Sequence, residues 1–139
     1  MADTARTLAI RQALQARLQG ITVANGYRTD AGADVRLEPS SLPIAPRITI
    51  YSGGTTRSDG GNPHEREFTL VVEAVVPTDI DDAAALVDGI AEDIEQALDA
   101  YLPMPGALPL SFQESLILDR PDGMPAMAAQ LMFTTRYRR

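Results

Sequence analysis

The stretch from Glu65 to Leu102 constrains this chain more than any other. From Glu65 to Val76, the residues Phe68, Leu70, Val72, Ala74 and Val76 share one face, and Glu67, Thr69, Val71, Glu73 and Val75 share the other. That two-residue period belongs to a strand with one buried face. Its other face is mixed, so it is expected to be partly wet or covered by a partner. Pro77 has no N–H to extend a ladder. Thr78 then reads as a helix N-cap, with Asp81 in the capping-box position. Asp79, Asp81 and Asp82 fall in the predicted first turn, where the helix dipole favours anions. Ile80, Ala84, Val87, Ala91, Ile94, Leu98 and Tyr101 recur at gaps of three and four, an apolar stripe that predicts a helix lying on a sheet as far as Leu102. Asp88, Glu92, Asp93, Glu95 and Asp99 are assigned to its remaining surface. Pro103 and Pro105 end it. Burying the large aliphatic side chains of the stripe contributes roughly 1.5–3 kcal/mol each before entropy costs.

The flanking segments supply what this pair packs against. A first helix, capped by Asp3 or Thr4, is expected through about Gln19, with Leu8, Ile10, Leu14 and Leu18 on its apolar side and Gly20 as its stop. Ile21 and Val23 read as a short extended piece. Asn25-Gly26 and Asp30-Ala31-Gly32 are turn signals, and Val35-Arg36-Leu37 is a short strand. Pro39, Pro43 and Pro46 mark an irregular connector, and Arg47–Tyr51 alternates as a strand. Residues 53–63 hold four glycines, small polar residues and Pro63, which predicts a long flexible hairpin loop. After the long helix come a proline-rich connector from Pro103 to Pro109, a strand within Phe112–Asp119, a turn at Arg120-Pro121-Asp122-Gly123, and a last strand over Met127–Tyr137. The fold class is α+β: one domain over residues 1–139, with a mixed, mostly antiparallel sheet of four to six strands, a long helix on one face and the N-terminal helix nearby.

Composition narrows the functions. At 139 residues the chain can bury about two-thirds of its unfolded surface. It has no cysteine, so disulfides and thiolate metal sites are excluded. No run of 18 apolar residues suggests a membrane span, and Met1–Thr4 lack the basic-then-apolar start of a secretory signal. The net charge of −7 opposes general nucleic-acid binding. All twelve basic residues are Arg, and none lies between Arg66 and Arg120. A GC-rich genome accounts for this usage, and so do interface contacts that exploit the forked guanidinium; the two are compatible.

No catalytic motif stands out. His64 is the one histidine and adjoins the Gly-rich segment, a poor setting for a Ser-His-Asp arrangement. One His and no Cys do not make a zinc site. Gly53 to Gly61 has no Gly-Lys-Ser/Thr after it and leads into a strand, so it is no phosphate loop. Asp79-Ile80-Asp81-Asp82 lacks the Gly and Glu of a calcium loop and reads as helix capping. The acidic helix face is either a plain solvated surface or, in a ring, the wall of a negatively charged lumen. No cofactor or metal is expected.

A helix closing in Gly20-Ile21, followed by the turn-rich Asn25-Gly26-Tyr27-Arg28-Thr29-Asp30-Ala31-Gly32, resembles the start of the tail terminator (tail completion, minor tail protein U-like) proteins of long-tailed bacteriophages and prophages. The order of short strands, glycine-rich excursion, long strand, long acidic helix and final hairpin is similar over nearly the whole chain. The alternative for residues 25–32 is a tight hairpin alone. The resemblance implies a non-enzymatic subunit of the virion tail, assembled in the bacterial cytoplasm. Such a subunit forms a ring, expected to be a hexamer on assembly and monomeric in isolation at modest concentration, that ends tail-tube growth and meets the head–tail connector proteins. Its partners would be further copies of itself, the tube protein and those connectors, with no sequence-specific nucleic acid and no membrane. The assembly interface is assigned to Arg28, to Gly53, Gly54, Arg57, Gly60 and Gly61 of the loop, and to Arg136 and Arg138. Another phage neck protein and a small-ligand-binding α+β domain are the competing readings; a deep apolar pocket with converging polar groups would favour the last.

Overall fold

The computed structural model describes residues 5–38, 44–57, 63–119 and 125–138. Helix α1 (Arg6–Leu18) leads through two 3₁₀ turns, Val23–Asn25 and Ala31–Ala33, to β1 (Val35–Arg36), β2 (Arg47–Arg57) and β3 (Glu65–Pro77). Helix α2 (Ala83–Leu98) follows, then β4 (Ser111–Asp119) and β5 (Ala126–Arg138). The five strands form one sheet in the order β1-β2-β3-β5-β4. Only β1–β2 is parallel. The α+β architecture expected from the sequence is the one observed.

At the centre, β3 and β5 pair without a break from Glu65↔Arg138 to Pro77↔Ala126. The five β3 residues assigned to the buried face are all buried, and Ala129, Leu131 and Phe133 of β5 join them. Both helices lie on this face, α2 over β3 and β5 and α1 over β2. Ile10, Leu14 and Leu18 of α1 and Val87, Ile94 and Leu98 of α2 complete one apolar cluster with the sheet.

The two strands beside this central pair are each broken once. In β2 the register shifts between Ser52 and Thr55, opposite Thr69. In β4 it shifts between Phe112 and Glu114, opposite Phe133 and Met132. Since Leu70 pairs with both Ser52 and Phe133, the two bulges lie within two rows of each other across the sheet.

Several boundaries differ from the sequence expectation. Strand β2 does not stop at Tyr51 but continues to Arg57, because β3 offers it a ladder as far as Arg66. Gly53 and Gly54 are therefore a bulge and not the start of a loop. A Cβ on Gly53 would lie 2.9 Å from Thr69 Cγ2, and Gly54 has φ of 94°. Gly60 and Gly61 lie outside the described residues, as do the expected turn at residues 120–123 and the expected caps Asp3 and Thr4. Helix α1 starts at Arg6 with no side-chain cap.

Helix α2 begins five residues later than Thr78. The backbone N–H and Oγ1 of Thr78 both donate to the Pro125 carbonyl, at 2.9 and 3.0 Å, which holds this residue beside the start of β5, and the helix begins only at Ala83. Asp82 precedes the helix in the left-handed region with φ of 57°, and no acidic residue lies in the first turn. The helix ends at Leu98, followed by an extended Asp99 and a left-handed Ala100 with φ of 50°. Arg17 of α1 donates to the Ala97 carbonyl at 2.8 Å and lies over the Tyr101 ring, giving the C-terminus of α2 a cation. The later start also rotates the buried stripe: Ala84 is exposed, while Ala83, Ile90, Ala97 and Asp93 are buried.

Residues 21–33 are neither extended nor a hairpin. Thr22 Oγ1 accepts from Asn25 N, Asn25 donates to the Gly20 carbonyl, and Asp30 accepts from Val23 N at 2.8 Å, so short polar side chains wind the backbone into turns. Gly32 is required where this segment crosses the end of α1, since a Cβ there would lie 2.6 Å from the Gln19 carbonyl oxygen.

Candidate assembly interface

One strand of the sheet is left uncovered. Strand β4 lies at the edge, and its residues Ser111 to Ile117 are all exposed. Its alternation with β5 puts Phe112, Ser115 and Ile117 on the helix side, but α2 sits over β3 and β5 and does not reach them. Phe112 gains only an edge-on contact with Phe133, with centroids 5.7 Å apart. Phe112, Leu116 and Ile117 remain 41%, 54% and 44% exposed. The strand carries no Lys, Arg or Pro, the residues that commonly blunt an edge, and its unpaired side presents free backbone donors and acceptors.

The far side of the sheet has no helix over it. A polar row crosses it: Gln130 donates to Glu73 at 2.8 Å, and the Tyr51 hydroxyl donates to Glu73 at 3.5 Å. Burial, then the neighbouring Glu73 charge, push the Tyr51 phenol above its ordinary value. Val71, Val75 and Met132 are half-buried around that row.

At the end where β2 meets β3, four arginines and two glutamates converge. Arg57 pairs with Arg66, Glu67 with Arg136, and Glu65 with Arg138. Arg136 reaches Glu67 at 3.8 Å and Glu65 at 4.0 Å, long contacts at half-exposed positions that contribute little to stability. Two shallow clefts of about 310 and 200 Å³ adjoin here and share Leu108 and Arg136. Both are open, and the larger is lined by Glu67, Ser111, Gln113, Thr134 and Arg136 alongside Leu108.

The structure therefore gathers Arg57, Arg136 and Arg138 at one end of the sheet, while Gly53 and Gly54 shape the strand that leads there. Arg28 stands apart from them. Its backbone N–H donates to Asp93 at 3.0 Å, and its guanidinium engages Asp93, Glu92 and Gln96 on α2. Thr29 completes the site, its N–H and Oγ1 donating to the other Asp93 oxygen at 2.9 and 2.7 Å. Asp93 was assigned to the solvent surface of the helix and is instead completely buried. It holds the 28–29 turn on α2, so Arg28 has an internal role. Nothing in the pattern of the helix distinguished Asp93 from Glu92 or Glu95. For the edge strand the sequence held one signal: three consecutive apolar residues, Leu116-Ile117-Leu118, place apolar groups on both faces.

No family model and no curated protein matches the sequence. Among solved structures, the fold is similar to that of a chain described as "Virion of native gene transfer agent (GTA) particle", with a TM-score of 0.67 and 16% identity, covering 99% of this chain and 100% of that one. A second solved chain matches with a TM-score of 0.56 and 13% identity over 98% of both.

Proposed function

We propose that this chain is a structural protein of a phage-like virion, with no catalytic role, and that it acts there as a tail terminator. The observation that carries the reading is the end-to-end likeness in fold to a chain of a gene transfer agent virion, with neither chain exceeding the other by a domain. Two features of the surface support it. A nine-residue edge strand with exposed apolar side chains is suited to assembly. The two clefts beside Arg136 are shallow and open with mixed linings, unlike the enclosed apolar pockets of small-ligand domains. In this role the chain forms a ring, expected to be a hexamer, on the head-facing end of the tail tube. The ring covers the surface on which tube subunits add and offers its other side to the head–tail connector proteins. The arginine-rich sheet end, with Arg57, Arg136 and Arg138, faces one of these partners.

The test is to mix the purified chain with assembled tail tubes and image their ends by electron microscopy. Rings on one end, and tubes that no longer lengthen when tube protein is added, are the expected result. Bare, growing ends at saturating protein would overturn the terminator role. Rings found instead only on isolated head portals would place the chain among neck proteins.

A further inference from the structure

We infer that copies of this chain join edge to edge, the β4 strand of one pairing antiparallel with the Ser52–Arg57 half of β2 in the next. This deepens the ring reading and rests on it for the number of copies. The argument starts from the two free edges. Beyond Thr49, no strand among the described residues pairs with the outer side of β2, and Ser52 to Arg57 are all exposed. Arg11 donates to the carbonyls of Leu37 and Ile50, at 3.0 and 3.5 Å, and so closes the covered part of that edge just before the open part begins. On the opposite side of the sheet, no strand among the described residues pairs with the outer side of β4.

Direction and charge match the two edges to each other. Three antiparallel pairings separate β2 from β4, so these strands run in opposite senses. A rotation about an axis along the strands leaves strand directions unchanged. It brings the β2 of a second copy beside β4 in antiparallel sense, continuing the ladder from one copy to the next. Strand β4 carries Glu114 and Asp119 and no basic residue, while Ser52–Arg57 carries Arg57 and no acidic one. Setting Ile117 opposite Thr55 also sets Leu116 opposite Thr56, which keeps the helix-side and open-side residues of both copies on matching faces. The apolar side chains that α2 fails to reach are then covered by the neighbour, in the manner of an added strand.

A head-to-tail contact has two different halves, and complementation separates it from every other arrangement. Ile117→Lys damages the β4 half, and Thr55→Lys the β2 half; both positions are exposed. Far-UV circular dichroism checks each fold, with Leu116→Lys replacing the first variant if it unfolds. Sedimentation velocity is run on each chain over the full soluble concentration range. The wild type is expected to associate, each variant alone to associate about tenfold or more weakly, and their mixture to give a 1:1 dimer that grows no further. Association of Thr55→Lys alone with wild-type strength, both variants assembling normally, or a wild type monomeric throughout would each overturn the proposal. The capping assay is independent. Wild-type protein that caps tubes while both variants assemble normally sinks the edge contact alone. Complementing variants with bare tube ends sink the terminator role alone.

Discussion

At the scale of single residues, two carboxylates carry the fold's polar organisation. Asp93 is completely buried, and both of its oxygens accept hydrogen bonds from the 28–29 turn. Asp93→Ala strands the two backbone N–H groups and the Thr29 hydroxyl, and is expected to cost about 3 kcal/mol in urea unfolding. Glu92→Ala, one residue away and exposed, is expected to cost under about 0.5 kcal/mol. Asp34 accepts from Arg36 and Arg47, each at 2.9 Å, where β1 meets β2. Burial alone would raise its pKa, but the hydrogen bonds and charges of Arg47 and Arg36 outweigh burial and hold the carboxyl below the usual 3.8. A carboxyl lowered in the folded state stabilises fully above its unfolded value and loses that contribution as pH falls through its folded value. Asp34→Asn is therefore expected to destabilise at pH 7, with its difference from the wild type shrinking as the pH falls below 3.8 and through the lowered folded value, urea midpoints along a pH series being the measure. Neither carboxylate was legible beforehand. A sequence period reports which face of a helix is apolar, and it is blind to a single acid satisfied by a distant turn.

At the scale of elements, the strands were readable and the helix start was not. Alternation along β3 gave the correct buried face because that strand has one covered side. The start of α2 was misplaced because Thr78 followed by acids matches a capping box, while the chain at Thr78 is still tied to the sheet by two hydrogen bonds to the Pro125 carbonyl. Substitution at Asp82 distinguishes the two starts. In the left-handed conformation observed, with φ of 57°, Asp82→Gly is tolerated, and Asp82→Val costs about 1–2 kcal/mol. Inside a helix begun at Thr78 the order would reverse, with Gly costing about 1 kcal/mol. Thermal unfolding of the two variants decides between them. The Gly-rich segment was misjudged for a related reason: Gly53 and Gly54 signalled a loop, yet β3 extends far enough to hold them as a bulge.

At the scale of the whole molecule, both helices and the sheet share one buried cluster. Loss of secondary structure and loss of aromatic packing, followed by far- and near-UV circular dichroism in urea, are therefore expected to coincide in one transition. Two separated transitions would divide residues 1–139 into more than one unit. The fold class followed from the order of elements, but the contact surface did not. Arg57, Arg136 and Arg138 of the sheet end were assigned to an interface from two separate segments of the sequence, the Gly-rich stretch and the C-terminus. The β4 edge becomes visible only once the strand order shows that no other strand among the described residues lies beyond it.

The two bulges, placed nearly in line on either side of the unbroken β3–β5 pair, give the sheet a hinge line. A bulge bends its strand and sharpens the local twist. The arginine-bearing end beyond that line is therefore expected to be turned relative to the part of the sheet backed by the helices, while the central ladder stays whole.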